Sequence, residues 1–270
     1  MVPPAEHDFI QSDRGRLFAT FQGTEQPPRA AVLFCHPLGE EKKCAHRTFH
    51  ETARALAKRG VASLRFDLAG CGDSDGEFAD FTIEDWGGDL HAAWEELTRR
   101  APEAERILLG LRLGAALAVL ACRDLDGVAG LALWQPMVEG KPEFSSDLRR
   151  LMIQDMVTNG KARTSHGDML SALENEHGTV DFDGYTITGG LYRDICRINL
   201  KDDHSGLPKN CRIVQFARPQ RSIQTLAEAT HIPRIIMDIP PIWIRSAFTP
   251  TEETGDLLAR EGVLPLLERS

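Results

Sequence analysis

Short, uninterrupted apolar runs alternate with helical patterns along this chain, and this alternation constrains the fold more than any other feature. The runs that read as buried strands are Ala30–Cys35, Val61–Phe66, Arg106–Gly110, Val128–Trp134 and Cys211–Ala217. The clearest helical patterns between them are His46–Arg59, Thr82–Arg100 and Arg112–Arg123. Strands that are separated by helices are typical of parallel sheets covered by helices. The sequence therefore predicts an α/β fold with a mostly parallel sheet flanked by helices.

Residues 135–200 interrupt this alternation. They are more polar and mostly helical in pattern, with no clear buried strand. We therefore predict an α/β core of residues 1–134 and 201–270, and an inserted, mostly helical lid of residues 135–200. Outside the lid we further expect an early strand Arg16–Phe21 paired with one near Phe9, a helix Ser222–Ala229, one or two strands within Arg234–Ile244, and a closing helix from about Thr251 to Glu268.

Charge and composition narrow the class of protein. The 270 residues carry a net charge of −9 with no block of like charges, which argues against a nucleic-acid partner. No apolar run is long enough to span a bilayer, and the first residues lack the pattern of a signal peptide. The six cysteines have no CxxC spacing and read as free thiols. We predict a cytoplasmic protein.

Three loops follow predicted strands and should meet at the carboxyl edge of the sheet. They begin at His36, Asp67 and Gly110 and read HPLGEE, DLAGCGDS and GLRLG. An HP turn, a D-x-x-G-x-G-x-S loop and a G-x-x-x-G turn in this order resemble the α/β-hydrolase fold over nearly the whole chain.

The chain also resembles a narrower family. The segments HPLGEEKK, FDLAGCGDSDG, GLRLGAALA, WQPMVEG and DFDGYTITGGL are similar to the exosortase-A-system-associated hydrolases, in particular their second type. This resemblance implies an ester or thioester hydrolase by name, linked to exopolysaccharide export and PEP-CTERM protein sorting, with a lid after the WQP segment. After about Cys211 only the general fold is similar.

The catalytic triad of such a hydrolase is not recognisable. Arg112 stands at the nucleophile position of the turn, and a guanidinium has no lone pair with which to attack a carbonyl. The loop after Cys211–Ala217, where the acid is expected, reads RPQR and has no carboxylate. No histidine follows His231, so the base is missing as well. We therefore favour a non-catalytic homologue that binds an acyl, sugar or carrier ligand, or a protein partner.

Two alternatives remain open. A relocated site could use Cys71 with His36, or Asp67 with a histidine, so a genuine hydrolase is the second hypothesis. The plainer interpretations are that Cys71 is a loop thiol, that His36 caps its strand, and that Asp67 accepts N–H groups of the glycine-rich turn. The third hypothesis is an interaction subunit whose pocket is filled. We expect no metal site and no cofactor.

Arg112 needs a negative partner, because the N-terminus of the helix that follows it disfavours a cation. Either Glu40 or Glu41 pairs with it and closes the pocket, or an anionic ligand group binds there. Leu111 and Tyr185 are expected to line the same pocket.

Overall fold

An eight-stranded sheet forms the centre of the structure, a computed structural model that describes residues 2–175, 177–245 and 248–268. The strand order is β1-β2-β4-β3-β5-β6-β9-β10. The antiparallel pairs are β1 with β2 and β2 with β4, and the remaining pairs are parallel. The strands are β1 (Glu6–Ser12), β2 (Gly15–Gln22), β3 (Ala30–Cys35), β4 (Val61–Phe66), β5 (Glu105–Leu111), β6 (Val128–Trp134), β9 (Asn210–Phe216) and β10 (Arg234–Met237).

Helices cover both faces of this sheet. They are α1 (Glu40–Ala57), α2 (Ile83–Arg100), α3 (Leu113–Ala121), α4 (Gly140–Asn159), α5 (His166–Glu174), α6 (Gly189–Arg197), α7 (Arg221–Thr230) and α8 (Glu252–Gly262). Short 3-10 turns lie at Phe78–Asp80 and Leu264–Leu267. The predicted α/β fold with a mostly parallel sheet flanked by helices is confirmed, and the early strand near Phe9 pairs with the next one as expected.

Side chains alternate between two apolar clusters because successive residues of a strand point to opposite faces. In β3, Leu33 and Cys35 belong to the cluster under α2 and α3, whereas Val32 and Phe34 belong to the cluster under α1 and α8. Every residue of β3 is buried, as expected of a central strand. The parallel register pairs Cys35 with Gly110, which aligns the carboxyl ends of β3 and β5.

Two predicted helix boundaries near this edge were wrong. Helix α1 begins at Glu40 rather than His46, because the chain turns at Gly39, whose φ is 54°, and two acidic residues then occupy the first helical turn. Helix α3 begins at Leu113, because Arg112 has a φ of 55° and lies outside the helix.

The end of the chain agrees with the prediction of one or two strands and differs from it in the length of the last helix. Only one strand, β10, lies in the stretch from 234 to 244, since Pro240 and Pro241 have no N–H groups to donate to a neighbouring strand. Helix α8 ends at Gly262, and a 3-10 turn that contains Pro265 follows it.

Residues 135–200 contain α4, α5 and α6 and also a two-stranded hairpin, β7 (Thr179–Phe182) with β8 (Tyr185–Thr188). The sequence showed no clear buried strand here, and the two hairpin strands have exposed or half-buried residues between their buried ones. The signal was the Asp183-Gly184 pair, whose φ values of 52° and 87° form the tight hairpin turn that Asp-Gly favours. The division into a core and a lid stays a prediction. In the described parts of the chain, no helix is long and apolar enough to cross a bilayer.

Candidate functional site

The sharp turn between β5 and α3 places Arg112 at the carboxyl edge of the sheet. Its backbone has φ 55° and ψ −120°, a conformation that costs a residue with a side chain about 1–3 kcal/mol. The turn is held by backbone bonds: the N–H of Arg112 donates to Trp134 O at 3.1 Å, and its carbonyl accepts from Met137 N at 3.2 Å. These two hydrogen bonds help to hold the unfavourable backbone conformation of Arg112.

Glycines on both sides of the turn allow this geometry. A Cβ at Gly110 would lie 2.4 Å from Ala115 Cα, and one at Gly114 would lie 2.2 Å from Cys35 O. Both contacts are with backbone, which cannot move aside as a side chain can. The G-x-x-x-G pattern is thus required by the close approach of α3 to the sheet.

The guanidinium of Arg112 is buried among three carboxylates. Its Nε lies 3.4 Å from Glu41 Oε1, Nη1 lies 3.1 Å from Glu143 Oε2, and Nη2 lies 2.9 Å from Asp147 Oδ2. The side chain is 7% exposed, and its Cζ lies 5.7 Å from the centre of the Trp243 ring. Each of the three nitrogens therefore has its own carboxylate.

Burial opposes the charge of Arg112, but Glu41, Asp147 and Glu143 outweigh it and hold the pKa of the guanidinium above its ordinary value. Burial raises the pKa of Glu41 to about 7, and the nearby Asp147 adds to this effect, although Arg112 opposes it. Burial also raises the pKa of Glu143. Three carboxylates share the single charge of Arg112. Glu41, which has the longest contact with Arg112, retains a proton most easily.

The sequence left two candidate partners, both of which lie in the first turn of α1, and the structure distinguishes them. Glu41 contacts Arg112, whereas Glu40 pairs with Arg245 at 2.7 Å and with Lys43 at 3.2 Å. Because the cluster around Arg112 already has more carboxylates than cations, even counting Arg150 at 3.9 Å from Asp147, it does not favour a further anion.

Sequence reasoning missed Glu143 and Asp147, which lie on α4. Their spacing of four residues places both on one face of a helix, and that spacing was the available signal. Glu143 also accepts from the N–H groups of Val138 at 2.7 Å and Glu139 at 3.1 Å. Glu143 and Asp147, one helical turn apart, thus link α4 to the side chain of Arg112.

The three candidate catalytic residues are each in a constrained environment. Cys71 is 6% exposed, and burial raises the pKa of its thiol to about 12, so the nucleophilic thiolate is scarce at neutral pH. Asp67 pairs with Lys42 Nζ at 2.6 Å and accepts from Asp73 N at 3.2 Å. Burial lowers the pKa of His36 well below its ordinary value, and its Nδ1 has no hydrogen-bond partner among the described residues.

Two further residues were expected to line a pocket. Leu111 is fully buried in the apolar cluster under α1 and α8, so it packs in the core and faces no open pocket. The ring of Tyr185 lies 3.0 Å from the place that a Cβ of Gly39 would occupy, and its centroid is 5.0 Å from that of Phe78. Tyr185 thus covers the loop after β3, one residue before α1.

The stretches after β9 and β10 are where the acid and the base of a triad are expected from the sequence. The loop after β9 reads ARPQ from Ala217 to Gln220 and contains no carboxylate. The stretch after β10, from Asp238 to Thr251, contains no histidine.

A cavity of about 510 Å³ lies between α4, α5, the β7–β8 hairpin and the first turn of α1. Its lining includes apolar side chains of Leu151, Met152 and Met169 and the charged pair of Glu40 with Arg245. A cavity of this size and mixed lining is within the range that small-molecule ligands occupy.

Residues 26–176, more than half of the chain, match the family model Hydrolase_4, described as "Serine aminopeptidase, S33". No curated protein sequence matches the chain.

Several solved structures have a similar fold over most of the chain. Est1E of Butyrivibrio proteoclasticus with bound ferulic acid has a TM-score of 0.69 at 20% identity, covering 95% of this chain and 99% of that one. A putative hydrolase of Agrobacterium vitis S4 gives 0.61 at 19% identity, covering 89% and 95%. XC6422 of Xanthomonas campestris, described as a serine hydrolase without lid, gives 0.61 at 16% identity, covering 100% and 99%. At these identities the likeness shows the fold alone.

Proposed function

This chain belongs to the Hydrolase_4 (serine aminopeptidase, S33) family, and from that premise we propose that it is an α/β-hydrolase homologue that binds without catalysing ester hydrolysis. The observation that carries the proposal is the buried ion cluster of Arg112 with Glu41, Glu143 and Asp147. We infer that this cluster stands where a hydrolase would hold its nucleophile, because Arg112 is at the middle of the G-x-x-x-G turn. Arg112 stays protonated at any ordinary pH and has no electron pair to donate.

We propose that the ligand is an acyl, sugar or carrier molecule, or that a protein partner takes its place. The cavity between α4, α5 and the hairpin supports a ligand, because it is lined by both apolar and charged side chains. The resemblance to exosortase-A-associated hydrolases of the second type supports a place in exopolysaccharide export and PEP-CTERM sorting. We also propose a cytoplasmic location, which the six free cysteines support.

A p-nitrophenyl ester panel of acetate, butyrate and octanoate tests the absence of hydrolysis. We expect the rate with purified protein to equal the rate in buffer, while a serine esterase in parallel hydrolyses the same esters. Turnover that disappears in Cys71→Ala or His36→Ala would show a relocated catalytic site and overturn the proposal.

The reactivity of Cys71 gives an independent measurement. We expect iodoacetamide to alkylate Cys71 at least tenfold more slowly than the partly exposed Cys44, because burial keeps the thiol of Cys71 protonated and inaccessible. Faster labelling of Cys71, read by peptide mass spectrometry, would instead support a cysteine nucleophile.

Ligand binding is read from thermal unfolding of the full chain with octanoate, a nucleotide sugar or pantetheine. We expect one of these classes to raise the melting temperature, since a ligand that binds only the folded state stabilises it. Met169→Trp, which fills the cavity, should abolish that shift, and an unchanged shift in this variant would exclude the cavity as the site.

A further inference from the structure

A second groove lies away from Arg112, between α2, α3 and α6. It encloses about 550 Å³, and its floor includes the apolar residues Leu117, Leu120 and Ile198. Two carboxylates at its rim, Glu84 and Asp124, have no ion-pair or side-chain hydrogen-bond partner among the described residues. We call this surface the α2–α3 groove; it is apolar at the bottom and acidic at the edge.

The wall of the α2–α3 groove is low because α2 carries Gly87 and Gly88 in its interior. A Cβ at either position would meet nothing within 4 Å, so packing within this chain does not require glycine there. Glycine inside a helix is less stable than alanine, so Gly87 and Gly88 destabilise α2, and no contact within the chain requires them. The glycines keep the groove open to a second backbone.

An exposed apolar surface on α4 is flanked by cations, whereas the α2–α3 groove is edged by carboxylates. Of the large hydrophobic side chains that are exposed in the described chain, Ile153, Met156 and Val157 stand together on this helix, and Val157 is 81% exposed. They recur at three- and four-residue spacing and so form one stripe. Arg149, one turn before Ile153, and Lys161, just beyond the helix, flank the stripe, and neither has an ion-pair partner in the described chain.

The two surfaces match each other in shape and charge. The stripe is a convex apolar ridge that extends about 6 Å along α4, with a cation beyond each end, and the groove is a concave apolar floor beside two unpaired carboxylates. Since the stripe is exposed in its own chain, only another molecule can cover it. A helix that lays its apolar face into such a groove is a recurrent mode of recognition.

We propose that α4 of one copy of this chain docks into the α2–α3 groove of a second copy. The two copies then use different surfaces, so the contact is head-to-tail and each end of a pair remains free to bind another copy. The assembly does not depend on the ligand proposed above.

Sedimentation velocity over a range from low micromolar to several hundred micromolar tests the contact. We expect the average mass of the wild type to rise with concentration and to fall again in high salt, which screens the charges around the contact. A wild type that stays monomeric throughout would overturn the proposal.

Two variants remove one surface each. Ile153→Lys with Val157→Lys removes the stripe, and Gly88→Leu fills the groove; each protein alone should be monomeric, with affinity reduced at least tenfold. Gly88→Leu should also raise the melting temperature by about 2 °C, which shows that the fold is intact. The matched control Gly88→Ala should still assemble, because a methyl group leaves most of the groove open.

Mixing the two variants decides between modes of assembly. One variant keeps its groove and the other its stripe, so the mixture should form a dimer and nothing larger. A mixture that remains monomeric contradicts the head-to-tail contact. So does assembly of Gly88→Leu alone, which would show that the stripe pairs with itself.

Discussion

Arg112 is a cation at the start of a helix, where the helix dipole favours an anion. The three surrounding carboxylates stabilise the cation in spite of that dipole. The positive charge of Arg112 in turn offsets the cost of burying the carboxylates. A buried ion cluster need not stabilise the fold overall, because the burial of charges costs free energy. Removal of the guanidinium of Arg112 alone is nevertheless destabilising, because it leaves three buried carboxylates without their cation.

Replacement of that central charge gives the first prediction. Arg112→Ala should lower the free energy of unfolding at pH 7 by about 3–5 kcal/mol, because Glu41, Glu143 and Asp147 would remain buried without their cation. Arg245→Ala is the control and should cost much less, since that arginine is largely exposed and solvent screens its ion pair with Glu40. Urea denaturation measures both, and equal losses would contradict the role of Arg112.

The second prediction concerns the proton on Glu41. Burial raises its pKa from 4.5 to about 7, so between these values the folded protein holds a proton that the unfolded chain releases. The contribution is fully present below pH 4.5 and is lost as the pH rises to about 7. Relative to Glu41→Gln, the wild type should therefore lose at most about 3 kcal/mol of stability across that interval.

Denaturation at pH 5 and pH 7.5 measures this difference. Glu252→Gln is the control: a hydrogen bond from Lys58 lowers the pKa of Glu252, so its contribution changes only at more acidic pH. If the wild type and Glu41→Gln lose stability in parallel between the two pH values, Glu41 does not hold the proton.

At the scale of elements, the close packing of α3 against the end of β3 positions Arg112. Gly114 lies against the carbonyl oxygens of Cys35 and His36, and no side chain fits between them. The turn, the helix and the strand end therefore form one unit, and Arg112 is held at its apex.

This close approach yields the third prediction. Gly114→Ala should lower the melting temperature, at a cost of about 1–3 kcal/mol or more, because its Cβ would lie 2.2 Å from Cys35 O and the backbone must shift. Gly87→Ala is the matched control in another helix. Its Cβ meets nothing within 4 Å, so the change should stabilise the protein by about 1 kcal/mol. Effects of the same sign would contradict this account.

At the scale of the whole molecule, the end of the chain completes the second apolar cluster. Leu258, Ala259, Val263 and Leu266 are buried against α1 and the central strands. Pairs of Lys58 with Glu252 and of Arg59 with Asp256 lie at the edge of this contact. The last part of the chain is thus necessary for one face of the sheet.

The fourth prediction tests that closure. Leu258→Ala should lower the free energy of unfolding by about 2–5 kcal/mol, since it leaves a cavity in a fully buried position. The adjacent Leu257 is only half-buried, and Leu257→Ala should cost less than about 1 kcal/mol. Similar losses in denaturant titrations would show that α8 does not seal the cluster.

The sequence alone determined the framework. Ala30–Cys35, Val61–Phe66 and Val128–Trp134 were predicted with the boundaries that the structure shows, because continuous apolar runs of this length leave few alternatives to buried strands. The glycine spacing around Arg112 likewise fixed the turn, since only small residues permit that backbone approach. These are local signals, carried by neighbouring residues.

Tertiary structure decided which charges meet. Glu143 and Asp147 reach Arg112 across 31 and 35 residues, and no local pattern reports how α4 lies over the turn. The choice of Glu41 over Glu40 depended on where α1 begins, because adjacent residues of a helix point about 100° apart. These ion pairs are set by how α1 and α4 pack over the turn of Arg112. That packing follows from the burial of whole helix faces, which the conformational preference of a single residue does not determine.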